Sequence, residues 1–304
     1  MDEGGTGDFD AAALDAERSA LMGLAYRMLG TVADAEDAVQ ETYTRWVRMP
    51  QRERDAIRNP GAWLMRTASR VCLDQLGSAR ARRERYVGEW LPEPLPSSGL
   101  ANPSIATDPL DRVSLDESVS TALLVLLESL TPAERVAFVL HDVFTMSFAE
   151  IAEVVGRSPD ACRQLASSAR RHIRERRAGV ATRAQHDAAT RAFLAAASSG
   201  ELDRLVAVLD PEVELHSDGG GLVSATRRPV FGADRVARFL LGIMGRRGAA
   251  MQIAMHETAD GLVLAASEGG VVDSVMVFDV RGDRVVRVRI TRNPEKLRLW
   301  NRPA

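Results

Sequence analysis

Residues 147–177 read SFAEIAEVVGRSPDACRQLASSARRHIRERR, and their periodicity decides how the helical part of the chain is read. Phe148, Ile151, Ala152 and Val155 follow the i, i+3, i+4, i+7 spacing of one buried helix face. Gly156 ends that helix, because glycine accepts the left-handed geometry of a helix C-terminus. Ser158 caps a second helix, with Pro159 at its first position, where a missing N–H costs nothing. In the second helix Cys162, Leu165, Ala166, Ala169 and Ile173 share one side, and Arg163, Gln164, Ser167, Arg170, Arg171 and Arg174 share the other. A face of Arg, Gln and Ser suits base edges and phosphates in a major groove. The plainer alternative is an amphipathic hairpin with a solvated basic face. The cap, the turn glycine and the one-sided arginines together favour DNA.

A chain of 304 residues is long enough for two or three domains, each with its own core. The apolar share of 45% is that of a globular protein. No uninterrupted apolar run approaches the roughly 20 residues that span a bilayer. The first ten residues, MDEGGTGDFD, lack the apolar core of a signal peptide, so a cytoplasmic protein with no membrane partner is expected. Cys72 and Cys162 sit among apolar helix positions in no ligand spacing, and burial as small hydrophobes is expected, without metal, redox or cofactor chemistry. A net charge of −3 argues against nucleic acid, but its distribution reverses that. Residues 157–177 hold seven arginines against Asp160 and Glu175, and 80–85 (RARRER) hold four against Glu84. Such local patches neutralise phosphates on a neutral chain. Lys296 is the only lysine.

Residues 11–86 read as helices. Ala12 to Leu29 ends at Gly30. Thr31 or Asp34 starts the next helix, with Val39, Tyr43, Trp46 and Val47 as its inner stripe and Asp37, Gln40, Glu41, Thr44, Arg45 and Arg48 outside. Asn59-Pro60 opens a third, holding Trp63, Leu64, Thr67, Val71 and Leu76. From 87 to 110 the chain turns to Pro, Ser and Gly, which excludes a helix. Trp90, Leu91 and Leu95 make this stretch too apolar for a passive linker, and it reads as a tethered docking segment. Helices resume from about 111, with a stripe of Leu123, Leu124, Leu126, Leu127 and Leu130 and a capping box at Thr131-Pro132-Ala133-Glu134. After 180, helices at about 184–199, 201–209 and 232–244 precede β-rich runs from 251 to 292 with turns at Asp260-Gly261 and Gly282-Asp283. This is an α+β layout, read as a curved antiparallel sheet in a cone with a cavity.

The order of a helical unit, a linker and a second helical unit ending in a helix-turn-helix resembles the extracytoplasmic-function (ECF) group of bacterial sigma factors. DAEDAVQETYTRWVR resembles the part of sigma region 2 that grips the β′ clamp of RNA polymerase. NPGAWLMRTASRVCLDQLGSARARRE resembles the part that melts and reads the −10 element. LTPAERVAFVLHDVFTMSFAEIAEVVGRSPDACRQLASSARRHIRE resembles region 4, which reads the −35 element. The remainder is similar to the SnoaL-like domains, of the nuclear-transport-factor-2-like fold, that one ECF group carries as a C-terminal extension. That group's motifs appear as Trp90-Leu91-Pro92-Glu93-Pro94, Asp218-Gly219-Gly220-Gly221 and Asn293-Pro294-Glu295-Lys296-Leu297, with Leu222 where the group has lysine after the glycines.

The resemblance implies two all-α sigma domains, 10–86 and 111–178, joined by the 87–110 linker, and a SnoaL-like domain over 180–304. It implies core RNA polymerase (β′ clamp and β flap) and promoter DNA as partners. Arg163, Gln164, Ser167, Arg170, Arg171 and Arg174 would meet the −35 duplex, some of them at phosphates that position rather than specify. Trp63, Arg66, Arg70, Asp74, Arg80 and Arg83 would meet the −10 non-template strand, Trp63 being as well suited to the core. Asp34, Asp37, Gln40, Glu41 and Thr44 would meet polymerase. The three C-terminal-group motifs would make a regulatory interdomain contact. DGGG reads as a tight loop admitting a close backbone approach. Glu212, Glu214, His216, Asp218, His256 and Asp273 are available for an enzymatic or small-ligand site, but no pair is placed convincingly and no catalytic residue is assigned. The rival of another class is a one-component helix-turn-helix regulator with a sensor domain, which would not need residues 10–86.

Overall fold

The computed structural model describes residues 11–84, 86–97, 121–177 and 181–302. The chain divides into two compact units: Met1–Arg80 with Leu100–Leu115 and Leu127–His172, and Ala81–Gly99 with Asp116–Leu126 and Ile173–Ala304. The expected start of a helix near 111 lies outside the described residues.

The first unit is helical. Helix α1 (Ala11–Leu29) stops at Gly30, whose φ of 83° only glycine adopts freely. Helix α2 (Val32–Arg48) is capped by the Thr31 hydroxyl, which accepts from the Asp34 N–H at 3.2 Å. Its buried stripe is Val32, Ala35, Ala38, Val39, Thr42 and Trp46. Val47, expected inside, is 65% exposed, and Thr42 takes the inner place. The Thr42 hydroxyl donates to the Ala38 carbonyl at 2.8 Å, so its burial leaves no polar group unpaired. A short helix α3 (Gln51–Asp55), not anticipated, precedes α4 (Pro60–Glu84), where the Asn59 side chain accepts from the Ala62 N–H.

Helix α5 (Thr121–Glu128), whose residues up to Leu126 belong to the second unit, precedes α6 (Pro132–Phe138), opened by the expected reciprocal Thr131–Glu134 box. A π-helical turn, Val139–Val143, leads to α7 (Phe148–Val155) and α8 (Pro159–Arg177). In α7 the buried residues are Ile151 and Val154, and Val155 instead lines a cleft with Leu73, Pro132 and Leu165. Phe148 is only partly covered, stacked on His141 at 4.1 Å, so the inner face is rotated from the expected one.

Two buried arginines tie the early helices to the later ones inside this unit. Arg135 donates to the Met28 carbonyl at 2.7 Å and pairs with Glu128 at 2.8 Å. Arg27 donates to the Gly23 carbonyl and lies 5.8 Å from the centre of the Phe144 ring. Both are almost wholly buried, and burial lowers the Arg135 pKa to about 10.

In the second unit, helices α9 (Arg183–Ser199), α10 (Leu202–Val208) and α11 (Ala233–Arg247) accompany a six-stranded sheet. The strands are β1 (Leu209–Asp218), β2 (Val230–Phe231), β3 (Met251–Thr258), β4 (Gly261–Glu268), β5 (Val271–Arg281) and β6 (Arg284–Thr291). Their order is β2-β1-β6-β5-β4-β3. The sheet is mixed, not purely antiparallel, because β1 runs parallel to β6, pairing Leu215 with Val288 and Ser217 with Ile290. Strand β1 is apolar only at alternate positions and contains Pro211, so its strand character depends on its neighbours.

The sheet is apolar on both faces. Leu215, Leu264, Phe278, Val288 and Ile290 join the helices in one core. Val263, Ala265, Val275, Val277 and Leu297 form a second core on the opposite face. Period-2 alternation assigns the remaining residues: Ser217 goes with the helix side, and Glu214, His216 and Asp218 go with the other.

Replacing Arg135 with Met should leave the Met28 carbonyl and Glu128 without their partner, at a cost of about 1–3 kcal/mol. Urea unfolding followed by far-UV circular dichroism should show the helical transition at lower denaturant. An unchanged midpoint would mean that the two halves of this unit do not rely on Arg135.

Candidate functional site

Helix α8 is built with two sides. Cys162, Ala166, Ala169 and Ile173 are buried, while Arg163, Gln164, Ser167, Arg171 and Arg174 are exposed. Gly156 takes the left-handed conformation at φ 69°, and the Ser158 hydroxyl accepts from the Ala161 N–H at 3.2 Å, so the turn is made as its residues require. The outer residues are not all free. Arg170 pairs with Asp142 at 2.7 Å, and Arg163 is ion-paired to Asp160 with its guanidinium 5.4 Å from the centre of the Phe148 ring. Arg170 thereby ties α8 to the π-helical turn that holds Asp142.

On α4, Arg66 and Arg70 both reach α7. Arg66 pairs with the Glu153 carboxylate at 3.0 Å and Arg70 donates to the Glu153 carbonyl at 2.9 Å. Trp63, half-buried, packs on the buried Trp46 with ring centres 5.2 Å apart. Asp74 is exposed. The side chains of Arg80 and Arg83 lie outside the described residues. On α2, Asp37, Gln40 and Glu41 are exposed, Asp34 and Thr44 are half-buried, and Glu41 pairs with Arg45 at 2.8 Å. Val47 adds an exposed apolar position beside them that periodicity alone assigned to the core.

The motif residues of the second unit meet around one ion pair. Lys296 and Asp218 are 2.7 Å apart, 4% and 0% exposed. Each also binds the backbone of Leu91: Lys296 donates to its carbonyl and Asp218 accepts its N–H at 3.0 Å. The other Asp218 oxygen accepts from the Tyr86 hydroxyl at 2.6 Å and the Gly220 N–H at 3.0 Å. The Asn293 amide donates to the Tyr86 oxygen at 2.8 Å, and its own carbonyl caps the turn Pro294–Lys296. Lys296 lies 4.2 Å from the centre of the Trp90 ring. Leu91, Pro92, Glu93 and Pro94 are buried, and the Trp300 indole donates to the Pro94 carbonyl at 2.8 Å. Burial, reinforced by Asp218, holds the Tyr86 hydroxyl well above the usual tyrosine range.

The glycines admit this approach. A Cβ on Gly220, at φ 65°, would stand 2.6 Å from the Asn293 side chain, and one on Gly219 would stand 2.5 Å from the Val223 carbonyl. Leu222 is 62% exposed, and the cation beside Asp218 comes from Lys296 on another strand connection. Removing one member of a buried pair costs roughly 3–5 kcal/mol, because the other charge is left without compensation.

Beside the clamp, His216 is held between Glu89 at 2.6 Å and Glu214 at 3.1 Å. Arg287 links Glu214 to Asp279, which also pairs with the buried Arg289. Burial alone would lower the His216 pKa, but the hydrogen bonds its ring gives to Glu89 and Glu214 win and raise it. Tyr86, Glu89 and Trp300 were not singled out by sequence, though Tyr86 and Glu89 flank the WLPEP motif.

Of Glu212, Glu214, His216, Asp218, His256 and Asp273, only Asp273 lines the cavity on the helix side of the sheet. There it is paired with Arg247. Among the described residues no group of three or more His, Cys, Asp or Glu is placed to hold a metal, and no helix is long and apolar enough to cross a membrane. Cys72 and Cys162 are buried thiols, and burial pushes Cys72 up to about 12.

Residues 14–82 match the family model for sigma-70 region 2, and 120–173 match that for sigma-70 region 4. The chain is 40% identical over 298 residues to the ECF RNA polymerase sigma factor SigJ of Mycobacterium tuberculosis, covering 94% of this chain and 93% of that one. It is 38% identical over 291 residues to the probable ECF RNA polymerase sigma factor SigI of the same species, covering 94% of each. The crystal structure of SigJ superposes with a TM-score of 0.72 at 36% identity, over 95% of this chain and 98% of that one. The region 2 match leaves the one-component regulator without support, since such a protein has no use for it.

The raised His216 pKa fixes a sign. A histidine whose folded value exceeds its unfolded value, about 6.5, stabilises fully below that value and loses the contribution as pH rises through the folded one. Residues 86–97 should therefore be better protected from protease at pH 6 than at pH 8.5. His216→Gln should flatten the difference, and a persisting slope would assign it to another group.

Proposed function

The chain belongs to the ECF RNA polymerase sigma factors, and we propose that its helix α8 reads the −35 duplex while α4 captures the −10 non-template strand and the outer face of α2 holds core polymerase. The observation that carries this reading is the one-sided α8: its inner face is buried to the last turn, and its outer face offers Arg163, Gln164, Ser167, Arg171 and Arg174. Arg and Gln at such positions supply bidentate contacts to guanine and adenine. Arg170, held by Asp142, and Arg174 near the helix end suit phosphate contacts that fix register. Arg66, Arg70, Asp74, Arg80 and Arg83 would line the path of the −10 strand, and Asp34, Asp37, Gln40, Glu41 and Thr44 the surface toward the β′ clamp, with Val47 as an apolar contact among them.

Arg66 and Arg70 are engaged by Glu153 of the helix that precedes α8, so each must leave it before meeting DNA. The Glu153 side chain is 58% exposed, and an ion pair in water is worth about 0–1 kcal/mol. Promoter and polymerase can therefore displace it cheaply. Two modest DNA-binding surfaces held on one polymerase reach high combined affinity through effective concentration.

We propose further that the C-terminal domain regulates the sigma factor by holding its linker. The Asp218–Lys296 clamp on Leu91 removes residues 86–97 from the tether between the two sigma regions. A shorter tether restricts the separations at which both promoter elements can be bound.

Arg163→Ala should weaken binding to the preferred −35 sequence by about 1–3 kcal/mol if Arg163 makes a bidentate base contact. Electrophoretic mobility shifts on matched and scrambled duplexes decide this, since equal loss on both would assign Arg163 to phosphate. Lys296→Met should change run-off transcript yield with core polymerase while affinity for core stays the same. Unchanged yield would remove the regulatory reading, and loss of all initiation by the unmodified chain would remove the assignment of its surfaces.

A further inference from the structure

The sheet face opposite the linker encloses a cavity of about 480 Å³, within the size range of small-molecule sites. Most of its wall is apolar, including Phe193, Phe239, Ile243, Met251 and Met276. The methionines make that wall adaptable in shape. The polar groups gather among Arg246, Arg247, Glu268, Asp273 and Arg292, three cations against two carboxylates.

The pairing within this set is uneven. Asp273 is saturated: Arg247 donates to it at 3.0 Å and the Ser274 hydroxyl at 3.1 Å, and Arg247 also takes Glu268 at 3.0 Å. Arg292 reaches Asp273 only at 4.0 Å and otherwise donates to the Ser224 carbonyl. Its guanidinium, 28% exposed, therefore has no carboxylate within hydrogen-bond distance among the described residues. A second observation points the same way. Thr226 lines the cavity, and among the described residues its buried hydroxyl has no hydrogen-bond partner. Buried hydroxyls are seldom left so.

We propose that this cavity is a binding site for a small apolar carboxylic acid, of the medium-chain fatty acid or arylalkanoic acid class, with its carboxylate on Arg292 and the Thr226 hydroxyl and its apolar part among the phenylalanines and methionines. A guanidinium and a hydroxyl donate to a carboxylate, which accepts from both, and the cationic surplus of one matches its single charge. A neutral alcohol would satisfy the wall but leave Arg292 as it is, and an amine would add a second uncompensated cation. The site stands on the cavity alone and does not depend on which side chains touch DNA.

The test is isothermal titration of the full-length protein with decanoate, 1-decanol and decylamine, three probes sharing one chain. Decanoate should bind about tenfold or more tightly than decanol, and decylamine should bind least. Arg292→Gln should bring decanoate down to the level of decanol. Ala266→Phe, which fills the chamber from β4, should abolish both while the circular dichroism spectrum and −35 binding stay unchanged. Should either variant misfold, Thr226→Val gives the same reading through a milder loss of decanoate affinity alone. Absence of decanoate binding, equal binding of the three probes, or binding that survives Ala266→Phe would each overturn the proposal.

Discussion

One buried ion pair governs the second unit. Asp218 and Lys296 are both out of water, and each completes its hydrogen bonding on the backbone of Leu91 rather than on solvent. Burying a carboxylate and an ammonium is unfavourable unless every remaining donor and acceptor is met. Here Tyr86, Gly220 and the Leu91 peptide meet them, so the linker is a structural part of the charge pair's solvation. If the linker leaves, the pair is half-satisfied. The docked linker is therefore held by the charge pair's own hydrogen-bonding needs.

The rest of that unit follows from the two faces of its sheet. Strands β4 and β5 are apolar at consecutive positions, so each face must be covered. Helices cover one face and leave a chamber; Leu297, Trp300 and the linker stand on the other. Neighbouring residues serve opposite sides. Ser217 lines the chamber and Asp218 clamps the linker, and Arg292 lines the chamber one residue before Asn293. The chamber wall and the linker clamp therefore share the same strand ends.

In the helical unit electrostatics is divided by burial. Arg171 and Arg174 of α8 are exposed and Arg163 and Arg170 carry surface ion pairs, whereas Arg27 and Arg135 are consumed internally by carbonyls and, for Arg135, by Glu128. Arg66 and Arg70 lie between these cases, attached to Glu153 by contacts that water weakens. The small net charge of the chain thus says little about any one surface. What counts is which guanidinium groups have partners inside the fold.

Much of this was legible in sequence where the signal is local. The Thr131–Glu134 capping box, the Gly156 turn, the two-sided α8 and the hairpin glycines depend on neighbours a few residues apart, and each formed as its residues require. Inner faces set by tertiary neighbours were harder to read: Val47 lies outside, Thr42 is buried, and α7 turned to bury Val154. Strand β1 and its parallel partner β6 lie about seventy residues apart, too far for any local pattern to pair them. The three motifs at 90–94, 218–221 and 293–297 stood out by resemblance, but nothing in their composition says that one lysine and one aspartate would close on the Leu91 peptide. The sequence by itself determined the capped helices and the hairpin turns, because backbone propensity and capping act locally. Only the tertiary structure decided which charges are buried together, because that depends on long-range packing that removes water from both partners at once.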